Sequence, residues 1–152
     1  MLTQVVSIQE LIKVRGFQVA PAELEGHLLS HPDVSDVCVV PIPDDFSGEL
    51  PLAYIVLHPP AAVRAASSTA EADAIKADLS KVIYYRLSHD DLLTTSMLQY
   101  VSDVKVQYKW LKGGVEFIDA IPKNPSGKLL RRVLREKAKV ERAAAEKAKA
   151  TL

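Results

Sequence analysis

The stretch DVSDVCVVPIPDDFSGELPLAYIVLHP, residues 33–59, consists of two apolar runs joined by a short polar segment. The runs are rich in Val, Ile, Leu and Tyr, which are residue types typical of strands. The joining segment, DDFSGE, is rich in turn-forming residues. The pattern therefore predicts an antiparallel pair of strands in the core of the domain.

The residues before this pair predict a hairpin and a helix. Strand-like runs lie on either side of Arg15 and Gly16, so we expect a hairpin or a sharp loop at the glycine. The segment PAELEGHLLSHP, residues 21–32, begins with a proline suited to a first helical turn and ends before Pro32. It predicts a helix of about two to three turns.

The residues after the pair predict a further helix from about Ala70, an ambiguous region up to Gln99, a break at Gly113 and Gly114, and the short strand VEFIDA. Strands and helices interleave without the long spacing of parallel βαβ units. We therefore expect an α+β fold, in which helices pack on a small mixed or antiparallel sheet with an N-terminal β-hairpin and a C-terminal helix.

The length of 152 residues predicts a single domain over 1–152. Small residues dominate 58–70, which predicts a flexible linker. From Lys128 onward, nine Lys or Arg face three Glu, so this part carries +6 and the rest of the chain −6. The tail, 137–152, has no aromatic residue for base stacking, which favours a solvated helical or disordered tail over a nucleic-acid surface.

Composition places the chain among ordinary globular proteins, with 48% hydrophobic and 25% charged residues. No apolar run approaches the roughly 20 residues of a membrane span, and no secretory signal is visible. The C-terminal ATL differs from the SKL peroxisomal address, so we expect a cytoplasmic protein. Cys38 lies in an apolar run and is interpreted as a buried strand thiol.

Side chains that could form a catalytic or metal site do not assemble into a recognisable motif. His27 and His31 are four residues apart, but no carboxylate or cysteine completes a metal-binding pattern with them. Glu23 and Glu25 could form an acid/base pair, yet carboxylates in a first helical turn are explained by the helix macrodipole. Ser47 is not part of a nucleophile elbow. We expect no metal site and no complete catalytic site.

The segment IPKNPSGKLLRRVLRE, residues 121–136, is different because it constrains the approach to one lysine, Lys128. Its two prolines fix φ, Gly127 permits a left-handed conformation, and Ser126 is predicted to cap the following basic helix. A lysine held in this way could neutralise charge that develops during adenylyl transfer. A solvated lysine at a helix start is the alternative, and spacing alone leaves both open.

Three segments, 10–25 (ELIKVRGFQVAPAELE), 31–57 and 108–136, resemble the C-terminal domain of adenylate-forming (AMP-binding) enzymes. They are most similar to acyl-CoA synthetases of the 4-coumarate–CoA ligase type, and they occur in the family's order. The resemblance implies a two-step reaction. A carboxylic acid and ATP form an acyl-adenylate, and the thiol of CoA then displaces AMP to give a thioester.

The resemblance also implies roles for five residues. Lys128 matches the lysine that contacts the acid and the phosphate during adenylation. Lys13, Arg15, Gly16 and Gln18 match the loop that faces the nucleotide and the CoA thiol channel during thioesterification. Arg15 stands where the family more often has a lysine, which keeps the charge and changes its geometry.

The family's large N-terminal domain, which binds ATP, the acid and Mg²⁺, has no counterpart in this sequence. The hinge also departs from the family pattern DRxKELIK, since Val6, Ser7 and Gln9 precede ELIK. We therefore expect a domain that is inactive alone, has an N-terminal AMP-binding domain as its partner in cis or in trans, and binds neither ATP, AMP nor CoA tightly by itself. The alternative is a non-catalytic regulatory module that docks on a complete synthetase.

Residues 82–99 are an atypical insertion relative to the family. Removing these 18 residues would place Ile75, Leu79, Val101 and Val104 on one continuous helical stripe. We hypothesise that the segment is a translated retained intron of 54 nucleotides; the alternative is a lineage-specific helical insertion. Transcripts that predominantly keep these nucleotides as coding sequence would contradict the intron hypothesis.

Overall fold

The computed structural model describes residues 11–89 and 111–151, with the backbone alone for 81–89. These parts contain five strands and four helices, which confirms the predicted α+β class. In chain order the elements are β1 (Ile12–Val14), β2 (Phe17–Val19), α1 (Pro21–Leu29), β3 (Val34–Asp44), β4 (Gly48–Leu57), α2 (Pro59–Ser67), α3 (Thr69–His89), β5 (Gly114–Phe117) and α4 (Arg131–Ala150).

The long hairpin of β3 and β4 forms the centre of the sheet and confirms the predicted antiparallel pair. Its register runs from Val34 opposite Leu57 to Asp44 opposite Gly48. The turn is closed by the Asp44 carboxylate, whose Oδ2 accepts the Ser47 N–H at 2.8 Å. Because Asp and Ser form such side-chain-closed turns readily, the local sequence is sufficient to reverse the chain here.

The sheet has the order β2-β1-β4-β3, and β5 lies parallel to β4. Strand β3 occupies one edge of β4 along its whole length, so β1 and β5 share the other edge. Strand β1 pairs with the first residue of β4, since Val14 lies opposite Gly48. Strand β5 pairs with residues 52–55, further along β4. The β1–β2 hairpin is therefore docked at the turn end of the long hairpin.

Both faces of the central strands are covered by helices. Alternate residues of β3 divide between two apolar clusters, with Val37 and Val39 on the face that packs against α1 and α3. Cys38, buried as predicted, lies on the opposite face with Leu134 and Ala138 of α4. Burial on two sides explains why these strands are continuous apolar runs instead of alternating ones.

Helix α2 corrects one expectation, because residues 58–70 were predicted to be a flexible linker. The chain instead forms a helix over Pro59–Ser67. Prolines at its first positions preset the helical φ, alanine has the highest helix propensity, and Ala61 is buried in the core. Arg64 also pairs with Asp33 at 2.9 Å. Low complexity in this segment reflects helix-forming alanines.

Helix α3 begins at Thr69, close to the predicted start at Ala70, and extends to His89. Ile75 and Leu79 are buried, as expected for the inner face of this helix. The backbone is helical through the first residues of the atypical insertion, 82–89. The remainder of the insertion and the other half of the proposed stripe, at 101 and 104, lie outside the described residues.

Helix α4 includes 137–150, the segment for which the sequence left helix and disorder open. It is fastened to the sheet through Tyr54, whose hydroxyl donates to Glu141 Oε2 at 3.3 Å. Lys137 pairs with the same carboxylate and lies over the Tyr54 ring. Burial, followed by the negative charge of Glu141, raises the pKa of Tyr54 above its ordinary value. None of the helices in the described ranges combines the length and apolar character needed to cross a bilayer.

Strand β3 is an edge strand whose outward N–H groups are removed or occupied. Pro41 lies opposite Pro51, and since neither has an N–H, this pair makes no backbone hydrogen bonds. Hydrogen-bonded and non-hydrogen-bonded pairs alternate in an antiparallel ladder, so every second residue of β3, counted from Pro41, directs its N–H and C=O away from β4. These positions are Val37, Val39, Pro41 and Pro43. The Val37 N–H donates to Asp36 Oδ1 at 2.9 Å. The Val39 N–H donates to Glu25 Oε1 at 2.9 Å. No outward donor remains over 37–43 to pair with another strand.

Restoring donors to this edge should promote self-association. We expect the double variant Pro41→Thr/Pro43→Thr to form larger species than the parent chain in sedimentation velocity experiments, because two N–H groups then become available for strand pairing. Ser35→Thr is the matched control, since it introduces the same side chain on the same strand where an N–H already exists. Identical sedimentation of the double variant and the parent would refute this explanation.

Candidate functional site

The β1–β2 hairpin presents four of the five predicted site residues. Its two-residue turn consists of Arg15 at φ +50° and Gly16 at φ +82°, and positive φ at both positions is the signature of a type I′ turn, which matches the twist of the flanking strands. The Arg15 N–H donates to the Ser47 carbonyl at 2.7 Å. The Arg15 guanidinium lies 4.6 Å from the centre of the Phe46 ring. The predicted hairpin is confirmed, and its turn is fixed against the β3–β4 turn.

Lys13 and Gln18 lie directly opposite each other in this hairpin, and both are exposed. Opposite residues of an antiparallel pair share a face, so these two side chains project together. The Lys13 N–H donates to Glu49 Oε2 at 2.9 Å, which fixes the strand from the side of β4. We refer to Lys13, Arg15, Gly16 and Gln18 as the hairpin group, because the structure brings all four onto one exposed turn.

Phe46 is a neighbour of the hairpin group that sequence reasoning did not select. Its side chain is 79% exposed in a turn between two buried strands, where an aromatic residue gains little from burial. The signal that could have identified it is this position, an aromatic residue inside a turn segment otherwise made of Asp, Ser and Gly. It adds an apolar, cation-binding ring beside Arg15.

Lys128 lies in a tight loop between β5 and α4. Lys123 and Leu129 form an isolated antiparallel bridge, which closes the loop 124–128. The Lys128 N–H donates to Asn124 Oδ1 at 2.8 Å, and the Lys128 carbonyl accepts the Asn124 N–H at 2.9 Å. Both backbone groups of Lys128 are therefore held by one residue, while its side chain is exposed.

Ser126 was predicted to be the helix N-cap, and this prediction is wrong. Its hydroxyl donates to Asn124 Oδ1 at 2.7 Å, and α4 begins later, at Arg131, without a side-chain cap. The physical reason is that the bridge between Lys123 and Leu129 extends the loop past Ser126, so the helix begins five residues later and its free N–H groups are not next to the Ser126 hydroxyl. Gly127, at φ +85°, adopts the left-handed conformation that the sequence predicted.

The base of the Lys128 loop is held by three contacts, two of which reach other elements of the domain. Lys123 Nζ lies 2.7 Å from Asp36 Oδ2, at the start of β3. The Leu130 N–H donates to the Pro122 carbonyl at 2.9 Å. The third attachment is the ion pair of Arg131, the first residue of α4, with Glu25.

Glu25 is the most buried carboxylate in the described part of the chain, with 7% of its surface exposed. Arg131 Nη2 lies 2.8 Å from each of its two oxygens, and Oε1 also accepts the Val39 N–H. The macrodipole was expected to explain this carboxylate. Its contacts instead show that Glu25 forms a structural ion pair with Arg131 and joins α1, β3 and α4. Sequence reasoning did not identify Arg131 as the partner of Glu25.

The hairpin group and the Lys128 loop lie at opposite ends of the β3–β4 hairpin. The hairpin group is docked where β4 begins, at Gly48, whereas the Lys128 loop is anchored to Asp36, which lies opposite Val56. Eight residues of strand separate Gly48 from Val56, a distance of about 26 Å. The five predicted residues therefore fall into two separate groups.

His27 and His31 do not lie together on one helix. Helix α1 ends at Leu29, so His31 lies beyond it, and its Nδ1 accepts the Asp33 N–H at 3.2 Å. Within residues 11–89 and 111–151, no three metal-ligating side chains come together.

Comparison with models of protein families shows which family this chain belongs to. The model of the AMP-binding enzyme C-terminal domain matches residues 23–128, which is more than half of the chain. The chain belongs to this family. The matched range ends at Lys128. The hairpin group of this AMP-binding enzyme C-terminal domain precedes residue 23, where the match begins.

Matches to curated relatives cover more of the chain than the family model does. An acyl-CoA ligase of Purpureocillium lilacinum, lcsD, is 42% identical over 93% of this chain, which covers 30% of that protein. The 4-coumarate–CoA ligase 2 of Nicotiana tabacum is 42% identical over 86% of this chain, which covers 18% of that protein. The domain thus spans less than a third of the length of these relatives.

Solved structures with the same fold include a fatty acyl CoA synthetase of Mycobacterium tuberculosis. It has a TM-score of 0.60 and 28% identity, with 86% of this chain and 20% of that one covered. The o-succinylbenzoate CoA synthetase of Bacillus subtilis, in complex with its acyl-adenylate intermediate, gives a TM-score of 0.58 and 30% identity over 84% of this chain and 20% of that one.

Removing the Glu25 carboxylate should destabilise the domain strongly. We expect Glu25→Ala to lower the free energy of unfolding by about 3 kcal/mol, because it leaves Arg131 without this carboxylate and the Val39 N–H without its acceptor. Urea denaturation of the chain measures the change. Arg132→Ala removes the adjacent, exposed arginine and should cost only about 0.5 kcal/mol. Equal effects of the two substitutions would refute the structural role of the pair.

Proposed function

We propose that this chain acts as the C-terminal domain of an acyl-CoA synthetase, in which it completes acyl-adenylate formation and then thioester formation. The observation that carries the proposal is the Lys128 loop, where an exposed cation is held on a backbone fixed at both its N–H and its C=O. Membership of the family and 42% identity to acyl-CoA and 4-coumarate–CoA ligases support it.

Lys128 is proposed to act in the first half-reaction. The acid's carboxylate attacks the α-phosphorus of ATP, pyrophosphate leaves, and negative charge develops on the phosphate oxygens. A lysine delivered on a preformed loop can stabilise that charge without paying to organise its backbone at the moment of reaction. Its exposure allows it to enter a site formed by another domain.

The hairpin group is proposed to act in the second half-reaction, in which the thiol of CoA attacks the acyl carbonyl and AMP leaves. Gly16 has open space where a Cβ would stand, so pantetheine could approach the backbone there. Lys13 and Arg15 offer cations to phosphates, and Gln18 offers an amide to hydrogen-bond the ligand.

The separation of the two sites supports a rotation of the domain between the half-reactions. Groups whose attachment points are separated by about 26 Å of strand are poorly placed to contact one reacting centre together. A rigid-body turn relative to the nucleotide-binding domain would present each end of the β3–β4 hairpin in succession. Such a turn needs no change inside this domain.

An N-terminal AMP-binding domain, in cis or in trans, is the proposed partner. It would supply the pockets for ATP and the carboxylic acid and the ligands for Mg²⁺, for which the described residues form no cluster of three. The chain alone is accordingly proposed to be inactive. The acid's identity would be determined by that partner.

A chimera tests this proposal directly. The part of the tobacco 4-coumarate–CoA ligase that aligns with this chain is replaced by this chain, and the two half-reactions are assayed separately with 4-coumarate. We expect acid-dependent exchange of pyrophosphate into ATP, lowered about a hundredfold by Lys128→Ala. Gln18→Ala should lower thioester formation from supplied acyl-adenylate and leave the exchange reaction unchanged.

Lys147→Ala, at an exposed lysine near the end of α4, is the control for loss of a positive charge and should change neither half-reaction. The isolated chain should release no AMP from ATP, CoA and 4-coumarate. A folded chimera without exchange activity, or a Lys128→Ala variant with full exchange activity, would overturn the proposed function.

A further inference from the structure

Asn124 makes more hydrogen bonds to the Lys128 loop than any other residue described there. Its side-chain Oδ1 accepts from the Lys128 N–H and the Ser126 hydroxyl, at 2.8 and 2.7 Å. Its backbone N–H donates to the Lys128 carbonyl, and its own carbonyl accepts the Gly127 N–H, both at 2.9 Å. One residue therefore organises all three residues that follow Pro125.

The position of Asn124 is itself fixed by the domain. Lys123, its neighbour, is paired with Asp36 at the start of β3. On the other side of the loop, Leu130 donates to Pro122 and Arg131 is held by Glu25. The loop thus has a rigid base, and Asn124 connects that base to the backbone of Lys128.

We propose that Asn124 is the positioning residue for Lys128, and that its side-chain Oδ1 determines where the lysine is delivered during adenylation. The inference rests on the proposed function, since it assumes that Lys128 acts in that step. Asn124 itself touches no reacting atom in this proposal. Its contribution passes through the Lys128 backbone.

Loss of the Asn124 acceptor would change the geometry of the loop. Without an acceptor at Oδ1, the Lys128 N–H is left to solvent and one of its two backbone bonds to Asn124 is lost. The long lysine side chain amplifies a change in backbone direction at its terminal ammonium, and a misplacement of about 1 Å can cost on the order of a hundredfold in rate. Aspartate retains an Oδ acceptor at the same place, whereas alanine removes it.

Amide hydrogen exchange on the complete chain tests the structural half of the inference without any activity. We expect Asn124→Ala to accelerate exchange of the Lys128 N–H about tenfold, while core amides such as those of Val40 and Ile55 keep their rates. Asn124→Asp should restore protection. Ser126→Ala is the matched control in the same loop, because it leaves the acceptor for Lys128 in place. Equal loss of protection in both alanine variants would overturn the inference.

The chimera tests the functional half by a double-mutant cycle. We expect Asn124→Ala to lower pyrophosphate exchange about tenfold and to leave thioester formation from supplied acyl-adenylate unchanged. In a Lys128→Ala background, Asn124→Ala should have no further effect, because the residue that it positions is absent. Asn124→Asp should recover most of the exchange activity, and all variants should unfold at the parent's urea midpoint.

The outcomes separate this inference from the proposed function. Full exchange activity in Lys128→Ala would overturn the proposed function, and with it the catalytic role of the contacts between Asn124 and Lys128. A large loss in Lys128→Ala with no loss in Asn124→Ala would overturn the positioning inference alone. Additive losses in the double variant would also overturn it, because Asn124 would then act by a route that does not pass through Lys128.

Discussion

The ion pair of Glu25 and Arg131 is the interaction on which the arrangement of the candidate sites depends. It joins residues 106 positions apart, and the same carboxylate accepts the Val39 N–H at the centre of the edge strand. A carboxylate buried to this extent is costly unless its oxygens are occupied, and here three short contacts occupy them. The pair fixes the start of α4, and the start of α4 fixes one end of the Lys128 loop.

The β3–β4 hairpin sets the distance between the two sites. Because β3 and β4 pair along their whole length, with one register shift between Val34 and Asp36, the two ends of the hairpin are held apart by an element buried on both faces. One end carries the hairpin group and the other supports the Lys128 loop. The prolines and side-chain acceptors along β3 also leave its outer edge without a free backbone donor over 37–43, which disfavours pairing with another strand.

Much of the fold could be predicted because its signals are local. The two hairpins follow from turn residues between strand-forming runs, and helix α1 follows from its proline and leucines within twelve residues. Helix α2 was missed because low complexity was interpreted as flexibility, although alanine favours helix and the burial of Ala61 stabilises it. Ser126 was misassigned because the bridge between Lys123 and Leu129 extends the loop, and the helix begins only at Arg131.

By itself, the sequence determined the family resemblance, the α+β class and the identity of the residues proposed to act, including Lys128 and the turn of Arg15 and Gly16. Short-range chemistry is sufficient for these, since each rests on residues close together in the chain. The packing of distant segments was needed to show that Glu25 meets Arg131, that Asn124 holds the Lys128 backbone, and that the two groups of residues are attached at opposite ends of the β3–β4 hairpin. These features depend on which polar groups become buried together when distant segments pack, and no local pattern specifies that pairing.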